Sequence, residues 1–425
     1  MSTDPRHTAA DPCAEPGTTG LLDVAEARRR ILEAVRPVEG ADEVALGETR
    51  GRVLAEAVAV PFDVPPADNS AMDGYALRAA DVPAEGEARL RVAGAAFAGR
   101  PFTGRVGPGE AVRIMTGAVL PEGADAVVMQ ERVRAEGDEV VVPGPVRAGE
   151  NVRRAGEDLA AGAEALAAGT RLGPAQIGLL ASLGLARVAV RRRPRVAVFS
   201  TGDELRQPGE PLGPGEIYDS NRPALLALLA GLGLEALDLG RVPDERGAVE
   251  ETLARAAREA DAVLTSGGVS VGEADYVTEV LRELGEVGFW KVAIKPGKPL
   301  AFGRVGEALF FGLPGNPVSV MVTFLVLVQP ALRRLAGERD VDPPVARARA
   351  RAPFRKRPGR TDYQRGVLAV AADGTLEVAP TGPQGSHVLS SVARADCLVA
   401  LPREAGDIAP GTWVEVLPFR GLMPA

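Results

Sequence analysis

Four lysines stand among 49 basic residues, the other 45 being arginine, and three of them fall together in Trp290-Lys-Val-Ala-Ile-Lys-Pro-Gly-Lys298. An ordinary solvated face would carry arginine like the rest of this surface. A compact, strongly hydrated ammonium binds as a point charge, unlike the flat fork of a guanidinium. Lys291, Lys295 and Lys298 therefore point to an anion, the bland alternative being chance clustering on a surface loop.

Other loops could share that anion. Ser266-Gly-Gly-Val-Ser-Val-Gly272 has a backbone free to turn its N–H groups toward a phosphate, with a helix start just beyond. Taken alone it is equally a tight turn. Gly315-Asn-Pro-Val-Ser319 leads into a helix and is a second anion seat, or simply a helix whose cap is Ser319. Candidates to hold a phosphorylated ligand are Thr201, Gly202 and Asp203 on one loop, and Ser266, Gly267, Gly268 and Ser270 on another. Asp203, Glu204, Asp244 and Asp275 supply the opposite charge. Carboxylates beside phosphates suit a hydrated Mg²⁺, which takes one or two protein ligands and keeps its waters. Each of the four can equally be a cap or a solvated turn residue.

The elements that must position these loops alternate. Apolar strands at Arg195–Phe199, Glu235–Leu239 and Ala262–Thr265 are separated by helices at Pro223–Leu232 and Ala248–Ala260. A helix at Tyr276–Leu284, strands at Phe289–Ile294, Leu300–Gly303 and Leu309–Phe311, and a long apolar helix at Val318–Leu335 follow. This predicts an α/β fold with a mostly parallel, doubly wound sheet over 193–337, covered on both faces. Ligands bind such sheets at the carboxyl ends of the strands, where all these loops should lie.

Around this unit, residues 21–60 and 156–192 read as a discontinuous α/β linker domain, whose helices Val24–Val35 and Pro174–Leu183 should pair. The turn-rich Phe62–Tyr75 stretch has almost nothing to bury and opens a β-rich inserted domain over 61–155. A C-terminal all-β domain is expected over 338–425 and a disordered lead-in over 1–20. The run Arg191-Arg-Arg-Pro-Arg195 reads better as a linker than as a nucleic-acid patch.

Bulk properties narrow the function. Net charge is −8, which argues against general nucleic-acid binding and makes a local cationic cluster more telling. Cys13 and Cys397 alone make no disulfide framework or thiolate metal site, and a reducing cytoplasm is the natural home. His7 and His387 are the only imidazoles, so chemistry needing several histidines is out of reach. The lead-in lacks a signal-peptide core, and the longest apolar run, Val318–Val328, is too short to span a membrane.

Six motifs follow one another: Asp68-Asn-Ser-Ala-Met-Asp-Gly-Tyr75, Arg113-Ile-Met-Thr-Gly117, Phe199-Ser-Thr-Gly-Asp-Glu-Leu205, Ser266-Gly-Gly-Val-Ser-Val-Gly-Glu-Ala-Asp-Tyr276, Ile294-Lys-Pro-Gly-Lys-Pro299 and Gly312-Leu-Pro-Gly-Asn-Pro-Val-Ser319. The series resembles the MoeA/gephyrin E-domain family, the molybdopterin molybdenumtransferases, and is closer to the bacterial stand-alone enzymes. The resemblance implies a four-domain homodimer that inserts molybdate into adenylylated molybdopterin with Mg²⁺, releasing AMP. The family's essential positions match Asp73, Thr116, Glu204, Asp244, Asp275, Lys291 and Lys295. Its molybdate pocket matches Lys295, Lys298, Ser319, Arg365 and Ser386; Arg153 and Asp158 match further family positions. Asp244 and Asp275 are expected to face the metal, and Asp73 and Thr116 to reach the pocket across the dimer. Ser220 stands where Thr is expected and Pro383 where His is expected, neither removing a charge. Implied partners are a molybdopterin adenylyltransferase and molybdoenzyme acceptors, with no nucleic acid and no membrane. Two rivals stand beside this. The 195–337 unit resembles the MogA/MoaB-like fold that molybdopterin adenylyltransferases use alone, and the gephyrin E domain also serves as a scaffold.

Overall fold

The structure is a computed structural model that describes residues 20–268 and 276–423. Its central sheet runs in the order Glu235–Val242, Arg195–Thr201, Ala262–Ser266, Ala308–Leu313, Pro299–Val305, Gly285–Lys291. The first four strands are parallel, Pro299–Val305 runs antiparallel to them, and Gly285–Lys291 runs antiparallel to Pro299–Val305. Alternation along each strand explains why both faces are dry, since successive side chains point to opposite sides. Val196, Val198, Leu264 and Phe311 face helices Val24–Ala34, Asn221–Gly231 and Pro317–Leu335. Ala197, Phe199, Val263 and Phe310 face helices Arg246–Glu259 and Tyr276–Leu284.

Helix Pro317–Leu335 is the central beam. It has the length and composition of a membrane span, but 89% of its most apolar window is buried inside the protein, so it is a core helix. It widens into a π turn over Phe324–Val328 just before Pro330. Proline has no N–H to donate and its ring crowds the carbonyl four residues back, which the wider turn relieves.

Two expectations about the linker domain separate here. Strands Ala41–Ala45 and Arg187–Arg191 pair antiparallel, as do Val58–Ala59 and Glu164–Leu166, so segments far apart in sequence meet here. Its helices do not pair with each other. Val24, Ala27 and Ile31 bury into the core of the central domain, whereas Leu180 of helix Pro174–Ser182 packs with Leu54, Leu172, Val188 and Val190. The Arg191–Arg195 run is a structural joint: Arg192 grips Asp261 through two bonds, 2.9 and 2.7 Å, and the Arg195 N–H donates to the same carboxylate.

The inserted domain is a six-stranded sheet in which Gly74–Leu77 lies between Glu110–Ile114 and Ala126–Met129. That strand is fully buried, although the sequence around it was expected to bury almost nothing. It is only four residues long, too short to show alternation, and a Cβ on Gly74 would stand 2.0 Å from the Val128 carbonyl. Beyond the central domain, strands Ala346–Ala350, Trp413–Pro418, Cys397–Leu401, Thr361–Val370 and Leu376–Pro380 close into a barrel.

The segment expected as a single strand over Phe289–Ile294 is divided. Gly285–Lys291 belongs to the central sheet, and Ile294–Lys295 pairs parallel with Thr361–Asp362 of the barrel. The lysine turn is therefore the hinge piece between two domains.

Candidate active site

The carboxyl ends of strands Arg195–Thr201, Ala262–Ser266 and Ala308–Leu313 share one edge of the sheet. Because Pro299–Val305 runs antiparallel to its neighbour, its N-terminal end and the lysine turn come to that same edge. A cavity of about 530 Å³ opens there, lined by Gly267, Gly268, Lys295, Lys298, Ser319 and Ser386, together with Asn316, Arg360 and Gln384. It lies between the sheet domain and the barrel.

Each wall is set by local structure. Gly297 has φ +107°, and a Cβ there would stand 2.3 Å from Thr323 Oγ1, so only glycine lets the Lys295–Lys298 turn lie on the beam helix. Lys295 Nζ donates to Asp362 Oδ2 at 2.9 Å, and Gln364 Nε2 donates to the same oxygen at 3.0 Å. An ammonium has three donors, so Lys295 keeps two for a ligand. Lys298 is exposed and its ammonium has no ion pair among the described residues. Gly267 and Gly268 both have positive φ, and Cβ atoms there would press on the Thr201 carbonyl and on Val277. Two glycines in succession thus bring bare backbone to the cavity.

The beam helix aims its first turn into the same space. Its cap is Asn316, with Pro317 at the first helical position, so the reading of Ser319 as a cap is corrected. The Val318 N–H donates to the Ser386 carbonyl at 3.0 Å, clasping helix to barrel loop. By position the Ser319 N–H is a first-turn donor that intrahelical bonding does not use. Asn221 steadies the approach by donating to the Gly315 carbonyl at 2.7 Å.

Arg365 does not reach this cavity. It is fully buried, with Nε donating to Ser391 Oγ at 3.0 Å, Nη2 to the Gly385 carbonyl at 3.2 Å and Nη1 to the Tyr363 carbonyl at 3.4 Å. Burial pushes its guanidinium down to about 10, leaving it charged at neutral pH. It buttresses the Gln384–Ser386 loop from behind, and Arg360 is the arginine that lines the cavity. Lys291 likewise lies outside the lining. It is exposed, opposite Pro299 in the sheet, and its carbonyl accepts the Leu22 N–H.

Carboxylates gather farther along the edge. Burial first, then the neighbouring Asp203 and Glu204, push the Asp244 carboxyl above its usual range. None of these three has a cationic side-chain partner among the described residues. Thr201 is buried at the strand end, and Gly202 has φ +143°. Ser266 and Ser200 hydroxyls meet at 3.3 Å beneath the glycines. Ser270 and Asp275 lie outside the described residues.

Asp73 and Thr116 are together but elsewhere, on the inserted domain. Asp73 Oδ1 accepts from the Thr116 N–H and hydroxyl, both at 2.7 Å, and these bonds hold the carboxyl below its usual range. Neither residue lines the cavity of this chain. Nearby, Arg153 pairs with Asn69 in a two-residue ladder and the Asp158 N–H donates to the Val64 carbonyl.

Arg360, Asp362, Gln364, Gln384 and Asn221 were not singled out from the sequence. Lone polar residues carry no local signature; only the pairing of Ile294–Lys295 with Thr361–Asp362 gathers the first three.

Comparisons with known proteins follow the same division. A model of the MoeA N-terminal region (domain I and II) matches residues 22–184. The probable molybdopterin binding domain matches 197–334 and the MoeA C-terminal region (domain IV) matches 347–419. The molybdopterin molybdenumtransferase of Haemophilus influenzae is 44% identical over 405 residues, 95% of this chain and 100% of that protein. That of a Nostoc species is 41% identical over 385 residues, 88% of each chain. The crystal structure of the molybdopterin biosynthesis MoeA protein from Pyrococcus horikoshii OT3 superposes with a TM-score of 0.82 at 30% identity, covering 94% of this chain and 100% of that one.

Proposed function

The chain belongs to the MoeA family and is a molybdenumtransferase of molybdenum cofactor biosynthesis, and from that premise we propose where its reaction takes place. Molybdate, a tetrahedral dianion, sits between Lys295, Lys298, Ser319 and Ser386. Adenylylated molybdopterin lies along Thr201–Asp203 and Ser266–Gly268, with its dithiolene toward the molybdate and AMP leaving as the metal is inserted. The observation that supports this is the cavity itself. Ammonium, hydroxyl and helix-end donors converge from two domains, and most are fixed before any ligand arrives. Such donors stabilise an oxyanion without reorganising at the moment of reaction.

Asp244 is where Mg²⁺ would be held, with Asp275 as the second expected ligand. Asp244 fits: its hard oxygens are crowded by like charge and lack a cationic side-chain partner among the described residues. Such an ion keeps most of its waters and takes only one or two protein ligands. When bound, Mg²⁺ would neutralise the phosphate oxygens as AMP departs. Glu204 and Asp203 contribute to that negative rim.

Asp73 and Thr116 act, in this proposal, in the pocket of a second subunit of a cytoplasmic homodimer. Asp73 Oδ1 is engaged by Thr116, which leaves Oδ2 to face a partner. The substrate comes from a molybdopterin adenylyltransferase, and the product passes to molybdoenzyme acceptors. Molybdate-dependent AMP release from adenylylated molybdopterin is the test. Asp73→Ala and Lys295→Ala chains, each inactive alone, regain activity when mixed if pockets are shared; no recovery refutes that sharing. AMP transfer onto molybdopterin from ATP would replace this reading with an adenylyltransferase.

A further inference from the structure

The fourth lysine is far from the others in sequence, yet the fold brings it beside one of them, Lys295. Lys356 and Lys295 line a second cavity of about 490 Å³, together with Arg355, Arg357, Arg360 and a single carboxylate, Asp407. Lys295 and Arg360 line both cavities, so the two are contiguous. In a chain of net charge −8 this concentration of cations is exceptional.

The cations have distinct duties. Arg355 pairs with Asp407 at 2.7 Å, and Lys295 with Asp362 at 2.9 Å. Lys356 is buried, and its ammonium donates to the carbonyls of Ala405, Arg403 and Arg357 at 2.8, 3.2 and 3.3 Å. Arg357 and Arg360 have no carboxylate partner among the described residues. The loop that carries them is tied down along its length. The Lys356 N–H donates to Asp407 Oδ1 at 2.7 Å and the Gly359 N–H to the Arg403 carbonyl at 2.8 Å. Gln364 Nε2 holds the Arg355 carbonyl, also at 2.8 Å. Two unpaired guanidiniums on an anchored loop make a site built for an anion, because little freedom remains to be lost when one binds.

We propose that the Arg355–Arg360 loop of the barrel is a second oxyanion subsite, in which Arg357 and Arg360 receive a tetrahedral dianion next to the Lys295–Lys298 cavity. Lys356 is its positioning residue, holding the loop through three carbonyls and leaving ligand contact to the arginines. The inference rests on the reading of the first cavity as the molybdate seat. The dianion is either free molybdate gathered at the mouth of that seat or the phosphate of the AMP that is released.

Calorimetric titration of the full-length protein with molybdate, and separately with AMP, tests this. Two molybdate-binding events are expected in the wild type. Arg357→Gln abolishes the second event and raises the KM for molybdate about three- to tenfold with kcat unchanged, because field lines that gather the anion are weakened. Arg360→Gln, which touches both cavities, weakens both events. Lys298→Gln abolishes the first event and leaves the second. If Arg357→Gln weakens AMP and spares molybdate, the subsite holds the phosphate of AMP and the oxyanion assignment stands. Binding of both ligands unchanged in Arg357→Gln, with the Lys298 effect intact, overturns the second subsite alone. No molybdate binding in the wild type overturns both readings.

Discussion

Replacing Gly297 with alanine perturbs the lysine turn at its tightest point, and its effect can be worked out from two contacts. A side chain at φ +107° carries strain of about 1 kcal/mol relative to glycine. The new Cβ would stand 2.3 Å from Thr323 Oγ1, and relieving such overpacking costs about 2 kcal/mol more. Gly297→Ala should therefore destabilise the sheet domain by about 3 kcal/mol. Thr323→Ala should be close to neutral. Its hydroxyl is buried without a hydrogen bond, and shedding it offsets the small void left behind. In the double variant the clash is gone and only the backbone strain of about 1 kcal/mol remains, so the two substitutions couple by about 2 kcal/mol. Urea unfolding followed by the emission of Trp290, which is buried one strand end from the turn, reads this domain, with Trp413 replaced by Phe to silence the barrel. Molybdate affinity should fall in the single variant and return in the double. A coupling below about 0.5 kcal/mol would show that the turn is not held against the helix as described.

Other outcomes follow from the same geometry. Arg365→Lys keeps the charge but cannot reproduce bonds to Ser391, Tyr363 and Gly385; we expect about 2 kcal/mol less barrel stability and weaker molybdate binding in calorimetry. Asp244 has a raised carboxyl pKa, so the folded state holds its proton more tightly than the unfolded chain. The contribution of Asp244 to the stability of the Mg²⁺-free protein is then fully present below the ordinary carboxylate value and is lost as pH rises through the raised one. Asp244→Asn should flatten that decline and remove the Mg²⁺-induced rise in Tm measured by differential scanning fluorimetry. Thr116→Val removes one of two bonds to Asp73, so the Asp73 carboxyl should move back toward its ordinary range in an NMR titration, with the fold intact.

The alternating strands and helices of the central domain were legible because each strand repeats its apolar residues over both faces, and Tyr276–Leu284 falls where the pattern predicts. Short or purely tertiary features were not. Gly74–Leu77 is a central strand of four residues inside a stretch dominated by turn formers, with no period to read. Helix Val24–Ala34 has one apolar stripe, and nothing local says which domain will cover it. Among the site residues, the lysine cluster was visible as an anomaly of composition. Arg365 could be matched by motif, yet its burial behind the Gln384–Ser386 loop is decided by strand pairing in the barrel. Lys356 joins Lys295 only through the fold, where Ile294–Lys295 pairs with Thr361–Asp362 of the barrel.

The seam between barrel and sheet domain also governs how ligands exchange. Tyr363, Val392, Leu398, Leu417 and Phe419 of the barrel belong to the same apolar core as the beam helix and the sheet. Swinging the barrel away would bring that surface into water, which disfavours opening the cavity by parting its walls. Residence times are then set at the solvent-facing mouth, where Lys298 and Arg357 stand exposed. Turnover that slows with salt but not with added viscosity would be the kinetic signature of such a rigid, charge-gated vestibule.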